Sequence, residues 1–191
     1  MSVKVKICGI TRLENALLAE RLGAFAVGFV FYPESPRFIE PEVAGVISGS
    51  LGPFISRIGV FVDEDPGTVR AAVRDAGLTA VQLHGSESPA YTRELGGITI
   101  IKAFRVRDGF DPGALGEYPA DYFLLDAAVP GARGGTGRTF DWRLALPCRS
   151  YGRIILAGGL TAVNVCDAVM IAKPWGVDVS GGGGVIPRSE G

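Results

Sequence analysis

Long apolar runs are missing from this chain. No uninterrupted stretch approaches the roughly 20 residues that a membrane span needs, and the N-terminus carries no apolar leader. A basic surplus is missing too: 19 Lys and Arg stand against 20 Asp and Glu, for a formal charge of −1. The electrostatic footprint of a nucleic-acid binder is therefore absent. Cysteine is scarce, and Cys8, Cys148 and Cys166 are odd in number, far apart and in no CxxC spacing. That argues against both a disulfide framework and a zinc site. Histidine occurs once, at His84. These absences leave a soluble, cytoplasmic α/β chain as the expectation, 191 residues long, sized for one domain with a substantial core.

What is present is a regular alternation. Strand-like runs occur at VKVKIC (3–8), AFAVGFVF (24–31), ISRIGVFV (55–62), TAVQLH (79–84), ITIIKAF (98–104), DYFLLD (121–126), GRIILAGG (152–159) and WGVDVS (175–180). Helix-like segments lie between them, from TRLENALLAERLG through DPGALGEY and FDWRLAL to TAVNVCDAVMIA. Thr11, Asp65 and Thr161 read as N-caps, and Gly23 and Gly77 as the glycines that follow a helix. In the first helix Leu13, Ala16, Leu17 and Leu22 share a face suited to lying on a sheet. The strand ends recur every 20 to 32 residues, and no composition break divides the chain. Eight such units predict one (β/α)₈ barrel over residues 1–191. After the eighth strand only GGGGVIPRSEG follows, too short and glycine-rich for an eighth helix, so that helix is expected to be absent or replaced by this tail.

Period two sorts the residues at the strand ends. Lys4, Lys6 and Cys8 share one face, Gln82 and His84 another, and Asp126, Asp178 and Ser180 oppose apolar neighbours. Lys102 lies on the face of Ile98 and Ile100. If the helix-facing side is apolar, all these polar groups point inward, toward the C-terminal mouth where barrels of this kind carry their chemistry. Taken singly, Cys8 reads as a small buried hydrophobe and His84 as a satisfied core residue. Lys6, Lys102 and Asp178 read equally as an internal ion-pair network. Asp126 stands apart, because it ends a wholly apolar strand and precedes a glycine-rich loop. AGGL (157–160) and Ser180 with Gly181–Gly184 follow strands seven and eight, where this fold commonly binds phosphate. GARGGTGRTF (131–140) lacks the glycine spacing and lysine of a nucleotide P-loop and reads as a lid over the mouth.

KICGIT (6–11), GFVFYPESPRFI (28–39), GVFVD (59–63), VQLHG (81–85), GGTGRTFDW (134–142), LAGGL (156–160) and GVDVS (176–180) together resemble the phosphoribosylanthranilate isomerases of tryptophan biosynthesis. The resemblance is in register over nearly the whole chain. It implies an Amadori rearrangement of a phosphoribosyl-anthranilate with no cofactor and no metal. It further implies Cys8 as general base and Asp126 as general acid, with Arg37 facing the anthranilate carboxylate. Gln82 and His84 would line the pocket. Gly158, Gly159, Ser180 and Gly181 would hold the phosphate. The base requires a thiolate, which Lys6 is expected to favour. The acid must stay protonated.

The tail departs from the pattern of that family. Gly181 stands where a second serine is expected, and the outer faces of strands eight and one lack a closing helix. A second subunit or the tail itself is expected to cover them, which makes a homo-oligomer the anticipated partner besides a phosphorylated small molecule. The alternative function is a phosphate-sugar-binding barrel whose altered C-terminus impairs catalysis.

Overall fold

The computed structural model describes residues 2–127 and 139–180. Gly181, the tail that follows it, and most of the loop expected to act as a lid lie outside the described residues. Eight parallel strands close in chain order into a barrel: β1 (Lys4–Cys8), β2 (Ala26–Val30), β3 (Ser56–Phe61), β4 (Ala80–Leu83), β5 (Ile100–Val106), β6 (Tyr122–Ala127), β7 (Arg153–Leu156) and β8 (Gly176–Val179). β8 returns to β1, with Lys6 opposite Asp178. Between the strands run α1 (Leu13–Arg21), α2 (Pro41–Gly49), α3 (Pro66–Asp75), α4 (Pro89–Glu94), α5 (Ala145–Cys148) and α6 (Val165–Ala172).

Local sequence accounts for most element ends. The Asp65 side chain accepts from the Thr68 amide, Ser88 does the same for Tyr91, and each is followed by a proline at the first helical turn. Gly23 and Gly77 take the left-handed conformation (φ 84° and 59°) just past α1 and α3. Four expectations about the helices need correction. α1 starts at Leu13 behind Arg12, with no side-chain cap from Thr11. Ahead of α6 the Thr161 amide donates to Asn164 Oδ1, so Asn164 rather than Thr161 holds the turn. α1 presents Ala16 and Ala19 to the sheet, and Leu17 and Leu22 remain exposed. The segment Pro112–Glu117 is a 3-10 helix rather than an α-helix, in keeping with its proline and two glycines.

The interior is filled by Ala26, Ile58, Ala80, Ile101, Ala103, Leu124, Ile155 and Ala157. Two larger apolar layers pack between the strands and their helices. Because Ile101 and Ala103 face inward, Lys102 shares the outer face of β5 with Phe104 and Val106. The expectation that it points into the barrel is therefore wrong. A buried charge is tolerated among apolar side chains when it is fully partnered, and this one is. Lys102 Nζ donates to Glu87 Oε2 at 2.8 Å, to the Gly85 carbonyl at 2.9 Å and to the Leu83 carbonyl at 3.3 Å. Glu87 Oε1 accepts the amides of Asp63 and Gly85, both at 3.0 Å. The pair thus clamps the loops that follow β3 and β4. Replacing Glu87 with alanine strands the lysine charge in the core. Urea unfolding should show a loss of about 3–5 kcal/mol, the cost of breaking a buried pair on one side.

Candidate active site

At the carboxyl end of the barrel the inward polar side chains join into one chain of contacts. Lys6 Nζ lies 2.8 Å from Asp178 Oδ2 and 2.8 Å from Gln82 Oε1, so its ammonium reaches across the interior from β1 to β4. The amide nitrogen of Gln82 is 2.9 Å from His84 Nδ1. His84 Nε2 in turn is 3.3 Å from Asp126 Oδ2 on β6. Lys6, Gln82, Asp126 and Asp178 are all buried. Two atoms of this chain, His84 Nε2 and Asp178 Oδ1, are sealed from solvent yet make no aligned hydrogen bond among the described residues.

Cys8 ends β1 opposite Gly28 of β2. A Cβ at Gly28 would come within 2.8 Å of Cys8 Sγ and 3.0 Å of Lys6 Cε, so only glycine leaves room for the thiol and the lysine stem side by side. Burial pushes the Cys8 thiol above its ordinary pKa. Lys6 pulls it back in part, while Asp178 adds to the rise. The expected help from Lys6 is thus real in sign but outweighed in the ligand-free protein. Burial also works against the Lys6 charge, yet Asp178 and Cys8 outweigh it and hold the ammonium above its ordinary value.

Glycines open space at two further points. Gly9 adopts φ +83°, and a Cβ there would collide with Arg37 Cδ, so the arginine stem crosses directly over the turn after Cys8. This brings Arg37 to the same mouth. Gly158 (φ +79°) faces Asp126, with the position of a Cβ only 2.7 Å from Oδ1. Gly158 and Gly159 both have positive φ. Asn164 pins their turn, donating from Nδ2 to the Gly159 carbonyl and accepting the Thr161 amide. No hydrogen bond among the described residues uses the amides of Gly158 or Gly159, which leaves them available to an anion. Ser180 is exposed just beyond β8.

Cys8, Gln82, His84, Asp126, Arg37, Gly158, Gly159 and Ser180 therefore all lie at one end of the barrel. A cavity lined by Lys4, Phe25, Tyr122 and Trp175 opens at the opposite end, away from these groups. Sequence reading missed Asn164 and Glu87. Asn164 carried a signal, since an Asn immediately ahead of an apolar helical run is a cap candidate. Glu87 sits in a polar turn and carried none. No group of three or more His, Cys, Asp or Glu among the described residues is placed to hold a metal ion.

Comparison with known proteins adds a family to this geometry. The family model for N-(5′-phosphoribosyl)anthranilate (PRA) isomerase matches residues 5–184. An N-(5′-phosphoribosyl)anthranilate isomerase of Geobacter sp. (strain M21) is 50% identical over 179 residues, covering 94% of this chain and 87% of the relative. The crystal structure of the isomerase from Thermotoga maritima has a TM-score of 0.86 at 46% identity, covering 95% of this chain and 89% of its own. A further isomerase structure, in complex with reduced 1-(o-carboxyphenylamino)-1-deoxyribulose 5-phosphate, has a TM-score of 0.83 at 44% identity over 95% and 88% of the two chains. With the family model spanning all eight strands of the barrel, this chain belongs to the N-(5′-phosphoribosyl)anthranilate isomerase family.

Proposed function

We propose that this protein converts N-(5-phosphoribosyl)anthranilate into 1-(2-carboxyphenylamino)-1-deoxyribulose 5-phosphate, a cytoplasmic step of tryptophan biosynthesis, with Asp126 as general acid and Cys8 as general base. The observation that carries the reading is the convergence of a thiol, a carboxyl group, an arginine and a free glycine-rich turn on one mouth of the barrel. A solved relative holds a reduced product analogue of the same chemical type. The alternative of a sugar-phosphate binder without turnover has no observation in its favour among the described residues.

The phosphate rests on the amides of Gly158 and Gly159, with Ser180 contributing from the end of strand eight, at the position after strands seven and eight. Arg37 offers a planar guanidinium to the anthranilate carboxylate. Asp126 gives its proton to the furanose oxygen while the C1–O bond breaks and the anthranilate nitrogen lone pair forms C1=N. The resulting iminium acidifies the C2 hydrogen, which Cys8 thiolate removes. The C2–H electrons form a C1–C2 enolamine, and its tautomerisation gives the ketose. Only protons move, so the side chains already present supply all the catalytic groups that the rearrangement requires.

The bound substrate is a dianion or more. Arg37 and the glycine turn therefore hold negative charge on the two sides of the acid–base pair. We also propose self-association along the side of β8 and β1, where Leu17 and Leu22 of α1 and Met170 and Ile171 of α6 are exposed. The Thermotoga maritima relative is described as dimeric. Light scattering should give twice the chain mass, and a monomer at micromolar concentration would overturn this part of the reading.

Cys8→Ala and Asp126→Asn should each lower kcat by roughly 10²–10⁴-fold, the range of general acid–base contributions, with an unchanged circular dichroism spectrum. The decay of anthranilate-adduct fluorescence measures the rate, and near-normal turnover in either variant would refute the assignment. The state of the thiol is tested separately by iodoacetamide alkylation, followed on the Cys8 peptide by mass spectrometry. Because burial raises the Cys8 pKa and only the thiolate reacts, the rate should climb with pH through neutrality. It should level off only above the ordinary thiol range of about 8.5. A plateau already reached below pH 7 would overturn the raised pKa.

A further inference from the structure

We propose that Lys6 and Gln82 are positioning residues that lock the single proton of His84 on Nε2, so that His84 presents an N–H to Asp126 and the acid's proton is kept for the substrate. The inference rests on the isomerase reading for its catalytic meaning, but its structural content stands on donor and acceptor geometry alone.

An ammonium group has three donors and no acceptor. The Gln82 atom 2.8 Å from Lys6 Nζ must therefore be the amide oxygen. The amide nitrogen, a pure donor, is then the atom 2.9 Å from His84 Nδ1. Nδ1 must accept, so it carries no hydrogen, and the ring's proton sits on Nε2. Turning the amide over would set its NH₂ against the lysine ammonium. Protonating the ring on both nitrogens would set Nδ1–H against the NH₂. Each alternative faces donor with donor in a buried site, where an unmatched polar contact is expensive. Asp178 secures the starting point of this chain: its carboxylate at 2.8 Å keeps Lys6 charged despite burial.

The consequence falls on Asp126. His84 Nε2 lies 3.3 Å from Asp126 Oδ2, too poorly aligned to count as a hydrogen bond in the ligand-free protein. Catalytic hydrogen bonds are often long in the empty enzyme and tighten when the substrate binds. With hydrogen on Nε2, His84 cannot accept the carboxyl proton, and that proton remains for the furanose oxygen. Once the transfer is made, the new carboxylate meets a donor already in place. With Nε2 bare, the imidazole would compete as a base for the same proton.

His84 is the only histidine, so ¹⁵N-histidine NMR of the whole protein reports its ring without assignment. The expected wild-type pattern has Nε2 protonated and Nδ1 bare, as one tautomer without averaging. Gln82→Glu keeps the acceptor for Lys6 but turns a second acceptor toward Nδ1. It should move the proton to Nδ1 or protonate both nitrogens, and lower kcat by about 10²-fold with a much smaller change in KM. Gln82→Leu removes the donor and should give averaging tautomers. A wild-type ring protonated on Nδ1, or a Gln82→Glu spectrum identical to wild type, would overturn the proposal. These spectra need no substrate, so they stand or fall independently of whether the protein turns over phosphoribosylanthranilate.

Discussion

A lysine ammonium enclosed in a barrel can only donate, and the carboxyl end of this barrel is arranged around that restriction. Lys6 is buried and its Nζ lies within 2.8 Å of acceptors on two other strands. Removing the charge from water costs several kcal/mol unless acceptors and an opposite charge replace the solvent. Asp178, on the neighbouring strand in register with Lys6, supplies the charge. Gln82 supplies a second acceptor, and by doing so it fixes which way its own amide points. The direction of every later contact toward Asp126 follows from that first one-sided group.

Space around the lysine is managed as strictly as charge. Cys8 and Lys6 project from the same face of β1, and their proximity depends on the missing side chain at Gly28. Gly9 and Gly158 do comparable work beneath Arg37 and beside Asp126, and both carry backbone conformations that L-residues with side chains rarely adopt. The polar groups of the mouth are thus brought close by backbone that gives way, in addition to side chains that reach.

The strands, their order and the inward faces of β1, β4, β6 and β8 were legible because side-chain alternation survives in sequence. The same rule misplaced Lys102, since alternation identifies a face but assigns it to the interior only if charge is excluded from the other side. Glu87 breaks that premise from a turn where a glutamate ordinarily looks solvated. Cys8 and Asp126 were legible as candidates from their places at strand ends and from their motifs. The chain linking them was not. Its members are up to 172 positions apart, and no local pattern records which acceptor a lysine will find across a closed barrel. The caps at Thr11 and Thr161 failed for a related reason, because several polar residues near a helix start compete and the tertiary fit selects among them.

The Lys102–Glu87 clamp bears on how freely the catalytic face can vary. Barrels of this kind are often treated as a constant body carrying interchangeable loops. Here a single carboxylate answers the amides of Asp63 and Gly85 as well as a lysine rooted in β5. The loops after β3 and β4 are therefore one module, not two. A replacement segment grafted after His84 would have to return an acid to the same point, or surrender the neighbouring loop with it.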